Sequence, residues 1–170
     1  AIPPGAGGVI FTPWLHGNRC PFEDPNSRAM FMNISLETGK SELIRAVIEG
    51  VCFHMRWMLE TQQKKVSTSD TIRFVGGGAL NDSTSRILAD CLGKTVETVE
   101  SPQNVGAVGA AVVVAVGTGV ISSIAEAGKL IKSNKTFRPD PSVKAVYDKY
   151  YEVYKRLYKT NKENFKLLNG

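Results

Sequence analysis

The chain has 170 residues, of which 42% are hydrophobic and 22% charged, and its net charge is +5 at pH 7. This balance excludes a disordered chain and is sufficient for the core of one domain of ordinary size. No apolar run approaches the ~18–20 residues that span a bilayer, which argues against a membrane-spanning protein.

Most of the net charge lies in one segment. From Ser142 to the C-terminus there are seven Lys or Arg residues against three Asp or Glu residues. One basic helix with a solvated face explains this excess, so we expect no nucleic-acid partner and no membrane partner. The first residues, AIPPGAGGVIFTPW, lack the basic and long apolar regions of a signal peptide, so we expect a cytoplasmic protein.

The spacing of cysteine and histidine predicts no metal site. Cys20, Cys52 and Cys91 are far apart and form no CxxC pair, and His16 and His54 add no metal-ligand spacing. Reduced structural thiols, which are typical of cytosolic proteins, are the simplest interpretation.

The first 40 residues are rich in Gly, Pro and Asn, which predicts loops and a hairpin with short strands near residues 8–11 and 29–34. Ser41 is then expected to cap a long amphipathic helix that ends near Lys64, because apolar residues recur at helical spacing. A glycine inside this helix, Gly50, costs stability, so we expect another element to pack closely against it.

Residues 71–75, TIRFV, predict a buried strand that leads directly into the Gly76–Gly78 triplet. Residues 81–84 supply helix-capping side chains, and the helix that follows is expected to end at Gly93. Residues 95–100, TVETVE, predict the next strand. This order of strand, loop, helix and strand is typical of an α/β fold.

The segment GAVGAAVVVAVGTG, which begins at Gly106, is small and apolar on all sides. It predicts a helix that is buried on most sides, with Gly106 and Gly109 admitting a neighbouring backbone. A shorter helix follows, and Pro139 and Pro141 break the chain before the final helix.

The glycine triplet raises the question of a ligand. Three consecutive glycines are costly to order, so a tight turn or a ligand must require the bare backbone. The triplet lies between a strand and a helix N-terminus. There, backbone amides favour anions, and absent side chains admit a flat ligand. A plain turn and a ligand site both fit this local pattern.

A dinucleotide is one candidate ligand. In a GxGxxG fingerprint Gly76 and Gly78 would fill the first two glycine positions, but Asn81 occupies the third. Glu100 could imitate the acidic residue that binds ribose. The fingerprint is therefore partial, and no Gly-Lys-Ser/Thr follows that would make the loop a Walker A motif.

The segment GGGALNDSTSRILADCLGKTVETVE resembles the adenosine-binding segment of the FGGY carbohydrate kinases, in which a strand ends in GGGA and an ILAD-LG helix follows. Other segments resemble the same family in the same order. They are the hairpin PWLHGNRCPFEDPNSRAMF, a signature from Ala29 to Glu49, the helix NVGAVGAAVVVAVGTG and the closing segment FRPDPSVKAVYDKYYEVYKRLY. Asn33 occupies the signature's glycine position, which is a departure. Within the family, the hairpin is most similar to that of xylulose kinases.

The resemblance implies a C-terminal domain fragment of the actin-like, ribonuclease H-like ATPase fold, which is α/β with a mixed sheet and flanking helices. Residues 1–170 would all belong to that domain. Residues 1–40 would form its loop and hairpin region, and residues 41–170 would supply the helices and strands of the nucleotide-binding half.

The same resemblance implies a set of ligand-binding positions. Gly76, Gly77, Gly78 and Ala79 would lie along the adenosine of ATP, and either Asn81 or Asp82 would contact adenine. Asp82 has only acceptor atoms when ionised, so it would accept a hydrogen bond from the adenine amino group. A plain helix N-cap is an equally good interpretation of Asp82.

The implied reaction transfers the ATP γ-phosphate to a sugar hydroxyl, with D-xylulose as the first substrate and gluconate, ribulose or glycerol as alternatives. Such a reaction requires a base, Mg²⁺ and phosphate-binding groups. The resemblance assigns these to an N-terminal domain with a DxGT loop, and no DxGT occurs in this chain. We therefore expect the last third of an enzyme, with no catalytic or metal-binding residue of its own and inactive alone.

The partners implied in this way are ATP and a small sugar, and a homodimer is an option. A different class of function is also compatible with the residues. The chain would then be a non-catalytic nucleotide-binding module of the actin-like type, or an interaction domain that uses its basic final helix.

Overall fold

The computed structural model of the protein describes residues 2–128 and 131–170. These residues form the strands β1 (Ile10–Thr12), β2 (Met30–Met32), β3 (Thr71–Phe74), β4 (Thr95–Val99) and β5 (Ser133–Phe137). They form the helices α1 (Lys40–Gln63), α2 (Asp82–Leu92), α3 (Val105–Gly117), α4 (Ile124–Ala127) and α5 (Lys144–Asn169).

The described residues form two compact units. The first contains Ala1–Thr68, Asp90–Gly93 and Pro139–Gly170, and the second contains Ser69–Ala89 and Lys94–Arg138. The glycine triplet lies in the second unit. The long first and last helices lie in the first unit.

In the first unit, strand β1 pairs antiparallel with β2, with Phe11 opposite Phe31. Helix α1 packs against β1 at Gly50, which is buried. A β-carbon added to Gly50 would lie 2.1 Å from the carbonyl oxygen of Phe11. The close approach predicted for this glycine is therefore confirmed, and the approaching element is a strand backbone.

The core of the first unit is aromatic. Phe53 of α1 lies between Tyr147, Tyr151 and Tyr154 of α5, with ring centroids about 6 Å apart. Trp14 contacts Tyr154 from the loop after β1, and all of these side chains are at most 1% exposed. The tyrosines of the last helix are thus a packing stripe.

A buried carboxylate joins three parts of the first unit. Glu49 of α1 accepts hydrogen bonds from the backbone N–H of Gly5 at 3.1 Å, from Arg45 Nε at 2.7 Å and from the Tyr147 hydroxyl at 3.1 Å. Burial raises the pKa of the Glu49 carboxyl, and the hydrogen bonds from Arg45 and Gly5 oppose that rise. Because its donors are in place, this carboxylate holds the N-terminal segment to α1 and α5.

The predicted cap of α1 is wrong by two residues. The helix begins at Lys40, and the residue before it, Gly39, has extended backbone. The Glu42 side chain accepts a hydrogen bond from the Gly39 N–H at 3.1 Å. Ser41 therefore lies within the first turn, and the glutamate at the third helical position accepts from the amide of the residue before the helix.

In the second unit, β3 pairs parallel with β4, and β4 pairs antiparallel with β5. Helix α2 connects the two parallel strands, so the sheet is mixed and the chain is α/β as predicted. Strand β3 is less buried than its composition predicts. Arg73 is exposed, and the other residues of β3 are of intermediate burial.

The prediction that the apolar segment after Gly106 is buried is wrong for the described residues. The segment does form a helix, α3, but none of its residues is buried, and Val113 and Val114 are each 64% exposed. A β-carbon at Gly106 or Gly109 would meet no atom within 4 Å. The physical reason is that, within the described chain, α3 packs mainly on α4 and on the turn before it.

None of the helices formed by the described residues is both long and apolar enough to cross a bilayer.

Gly50→Ala should destabilise the protein, because the new methyl group would overlap the Phe11 carbonyl oxygen. Overpacking of this kind costs about 1–3 kcal/mol in the free energy of unfolding, measurable by denaturant titration. Gly109→Ala is the matched control, since it lies in a helix with open space around it. The control should be neutral or stabilising. Equal stability of the Gly50→Ala variant and the unchanged protein would contradict the close packing of α1 on β1.

Candidate functional site

The glycine loop lies at the carboxyl end of β3. In open α/β sheets, ligands bind outside the carboxyl ends of the parallel strands. The turn that follows β4, Pro102–Asn104, lies beside the glycine loop, and the Gly76 N–H donates a hydrogen bond to the Pro102 carbonyl oxygen at 2.8 Å. The loops after both parallel strands therefore meet at one edge of the sheet.

The three glycines have different structural reasons to be glycine. Gly76 has φ +90° and ψ −175°, a conformation that is essentially restricted to glycine. A β-carbon at Gly78 would lie 2.9 Å from Cζ of Phe74, the last residue of β3. Gly77 is exposed, and a β-carbon there would meet no atom within 4 Å. The backbone conformation therefore requires glycine at 76, and a side chain at 78 would have to displace the Phe74 ring, whereas the described residues give no packing reason for Gly77.

A short 3-10 turn, Gly77–Leu80, follows Gly76. Ala79 is 6% exposed, and its N–H donates to the Gly76 carbonyl oxygen at 3.1 Å, so its methyl group faces the interior. Leu80 is 61% exposed. Sequence reasoning did not single out Leu80, because one apolar residue in a loop carries no signal of a contact surface.

Asn81 is the N-cap of α2. Its side-chain Oδ1 accepts hydrogen bonds from the N–H groups of Ser83 at 2.8 Å and Thr84 at 3.4 Å. Its backbone carbonyl accepts from the Ser85 N–H at 3.2 Å. The interpretation of Asp82 as the N-cap is therefore wrong. Asp82 is the first residue of the helix, because Asn81 already satisfies the free amides.

The Asp82 side chain is held by a lysine from β5. Lys135 Nζ lies 2.9 Å from Oδ1 and 2.8 Å from Oδ2 of Asp82. Sequence reasoning missed Lys135, since 53 residues separate it from Asp82 and no local pattern connects them. Only the antiparallel pairing of β5 with β4 brings the lysine to this edge of the sheet.

The start of α2 is unfavourable for a phosphate group. An anion site at a helix N-terminus needs free backbone amides and the positive end of the helix dipole. Here the Asn81 side chain occupies the amides of Ser83 and Thr84, and the Asp82 carboxylate adds negative charge in the first turn. The loop instead offers a bare backbone at Gly77, an apolar side chain at Leu80 and a carboxylate acceptor.

The segment that follows β4 lines a cavity in the second unit. Its volume is about 210 Å³, and its lining includes Glu100 and Ser101 from the end of β4, Val105 and Val108 from α3, and Lys132. Glu100, the candidate ribose-binding acid, is exposed and lines this cavity. Among residues 2–128 and 131–170, no three His, Cys, Asp or Glu side chains converge to hold a metal ion.

Comparison with known proteins identifies the family. Residues 1–118 match the model of the C-terminal domain of the FGGY family of carbohydrate kinases. The chain belongs to the FGGY family of carbohydrate kinases. The resemblance carried by GGGALND and the flanking segments is therefore confirmed.

Named relatives and solved structures place the chain within this family. A xylulose kinase from Staphylococcus epidermidis is 32% identical over 162 residues, which cover 94% of this chain and 32% of that protein. Ligand-bound xylulose kinase from Lactobacillus acidophilus matches with a TM-score of 0.86 and 25% identity, over 98% of this chain and 34% of that one. Gluconate kinase from the same species matches with a TM-score of 0.85 and the same identity and coverage.

These likenesses confirm the predicted fold, the α/β, actin-like ATPase fold of the FGGY sugar kinases. The chain spans about a third of the length of the relatives that it matches. The assignment of residues 1–170 to parts of the C-terminal domain, and of residues 76–82 to a nucleotide site, stays a prediction.

Proposed function

We propose that this chain is the nucleotide-binding C-terminal part of an ATP-dependent sugar kinase, and that the glycine loop receives the adenosine of ATP. The observation that carries this proposal is the combination of an exposed, unexplained glycine, Gly77, with a helix start whose amides are already capped. A bare backbone admits a flat ring, whereas a capped helix start does not attract a phosphate.

The individual residues then have distinct roles. Gly76 and Gly78 have structural roles in the turn. Gly76 has a positive φ, and Gly78 lies against the ring of Phe74. Gly77 is the point of contact with the nucleoside, and the backbone at Ala79 continues the same surface. Leu80 adds an exposed apolar side chain beside it.

Asn81 and Asp82 have different polar contacts in the proposed site. The Asn81 oxygen is committed to the start of α2, where it holds the loop and the helix together. The Asp82 carboxylate is 59% exposed and can accept a hydrogen bond from the adenine amino group. We therefore assign the contact with the adenine amino group to Asp82 and the support of the loop to Asn81.

We assign the groups that transfer the γ-phosphate to the rest of the enzyme. Phosphoryl transfer requires Mg²⁺ bridging the phosphates and a residue that orients or deprotonates the acceptor hydroxyl. The described residues hold no cluster of three carboxylates, histidines or cysteines that could bind a metal ion. Catalysis would belong to the other two thirds of a kinase of the relatives' length.

We propose D-xylulose as the acceptor and xylulose 5-phosphate as the product, in the cytoplasm. Similarity to the xylulose kinases of Staphylococcus epidermidis and Lactobacillus acidophilus supports this choice. Gluconate is the second candidate, because gluconate kinase from Lactobacillus acidophilus matches almost equally well, with a TM-score of 0.85.

The test of this function is sugar-dependent release of ADP by the full-length gene product that carries this chain. With saturating MgATP, D-xylulose should give the highest kcat/KM in a panel that also contains gluconate, ribulose and glycerol. A higher kcat/KM for gluconate than for D-xylulose would assign gluconate as the substrate. Absence of ADP release with every sugar of the panel would contradict the kinase assignment.

Gly77→Val should raise the KM for ATP at least tenfold, because the new side chain would stand where the nucleoside is proposed to lie. The KM for the sugar and the melting temperature should change little, since no neighbouring atom lies within 4 Å. Gly78→Val is the contrasting variant, because overlap with Phe74 should lower the melting temperature as well. An unchanged KM for ATP in Gly77→Val would mean that no nucleoside contacts this loop.

A further inference from the structure

We propose that Lys135 is a positioning residue for adenine recognition, and that it acts by fixing the direction of the Asp82 carboxylate. This inference rests on the proposed function of the glycine loop. It adds a residue from a different strand to that site and assigns it a part in the choice of base.

Lys135 lies beside the start of α2, which follows the glycine loop. Lys135 Nζ contacts both carboxylate oxygens of Asp82, at 2.9 and 2.8 Å. Asp82 follows the capping residue of α2 directly, and the capping residue follows the glycine turn. The ion pair therefore joins the outer strand of the sheet to the first residue of α2.

The fold does not depend on this ion pair. The side chains of Lys135 and Asp82 are 52% and 59% exposed, and an exposed pair of this kind contributes little to stability. Asn81 already caps α2, and β5 is already held by its backbone pairing with β4. The main consequence of the pair is therefore local, because it limits the directions in which the carboxylate points.

A fixed carboxylate matters for a hydrogen bond with a base. Each carboxylate oxygen has two acceptor sites, so the lysine leaves acceptor capacity on both oxygens of Asp82. An unrestrained carboxylate at an exposed helix start would lose rotamer freedom when it binds a ligand, and a held one has already lost it.

The same arrangement predicts a choice between bases. Adenine presents an amino group, which donates to a carboxylate, whereas the hypoxanthine base of ITP presents a carbonyl oxygen at that position. Asp82 should therefore favour ATP over ITP, and Lys135 should strengthen that preference by holding the acceptor in place. A lysine that only stabilised the sheet would affect both nucleotides equally.

The experiment measures binding directly, by isothermal titration of ATP and of ITP into the full-length kinase. Lys135→Gln should weaken ATP binding about fivefold to tenfold, within the range expected when one more side chain has to be ordered on binding, while ITP binding changes by less than about twofold. Lys135→Arg should restore ATP binding, because it keeps the charge and the donors. In the Asp82→Asn background, Lys135→Gln should have almost no further effect.

Lys94→Gln is the matched control. Lys94 pairs with Asp70 at 3.1 Å, and these residues directly precede β4 and β3 at the opposite edge of the same sheet. Its substitution removes an ion pair of the same unit and should leave the affinities for ATP and ITP unchanged. The melting temperature of each variant shows whether any loss of binding comes from loss of structure.

The outcomes separate this inference from the proposed function. Unchanged ATP affinity in Lys135→Gln, with tight binding by the unchanged protein, would overturn the role of Lys135 and leave the nucleotide site standing. Equal losses for ATP and ITP that add to the loss from Asp82→Asn would also overturn it, because Lys135 would then contact the nucleotide itself. No ATP binding by the unchanged kinase would overturn both proposals.

Discussion

One hydrogen bond, from the Gly76 N–H to the Pro102 carbonyl oxygen, holds the candidate site together. It joins the loop after β3 to the turn after β4, so the carboxyl ends of two parallel strands present a single surface. Gly76, which donates this bond, adopts φ +90° and ψ −175°, and this conformation explains the first glycine of the triplet without any ligand.

The cap of α2 determines which part of a nucleotide suits the surface. A glycine-rich loop before a helix often binds phosphate through free amides at the helix N-terminus. In this chain Asn81 occupies those amides, and Asp82 adds a negative charge. Asn81, which interrupts the GxGxxG pattern, is therefore also the residue whose side chain occupies the amides that would bind a phosphate. A strand, glycine loop and helix in this order can bind a nucleoside when a side chain already caps the amides at the helix N-terminus.

Local patterns predicted most of the secondary structure. The apolar spacing predicted α1 to within about two residues at each end, and the mid-helix Gly50 predicted a close contact that proved to be with the Phe11 carbonyl. These features depend on neighbours along the chain or on a simple steric requirement. The cap of α1 was misplaced because the helix already begins at Lys40, where Glu42 accepts a hydrogen bond from the Gly39 N–H, and Ser41 lies within the first turn.

Features that depend on distant residues were not predicted. The apolar composition of α3 predicted burial, but the described residues leave Val113 and Val114 exposed, because composition does not reveal which surfaces a chain supplies. The ion pair between Lys135 and Asp82 depends on the pairing of β5 with β4, which no local pattern in SNKTF indicates. The separate reasons for the three glycines likewise required the positions of Phe74 and Pro102.

Hydrogen–deuterium exchange of the full-length kinase, with and without ATP, tests the central claim most directly. A nucleoside on the glycine loop should slow amide exchange in the peptides that cover residues 72–86, because it excludes water from an exposed backbone. Protection by ATP elsewhere in the protein, with unchanged exchange in residues 72–86, would contradict the assignment of adenosine to this loop.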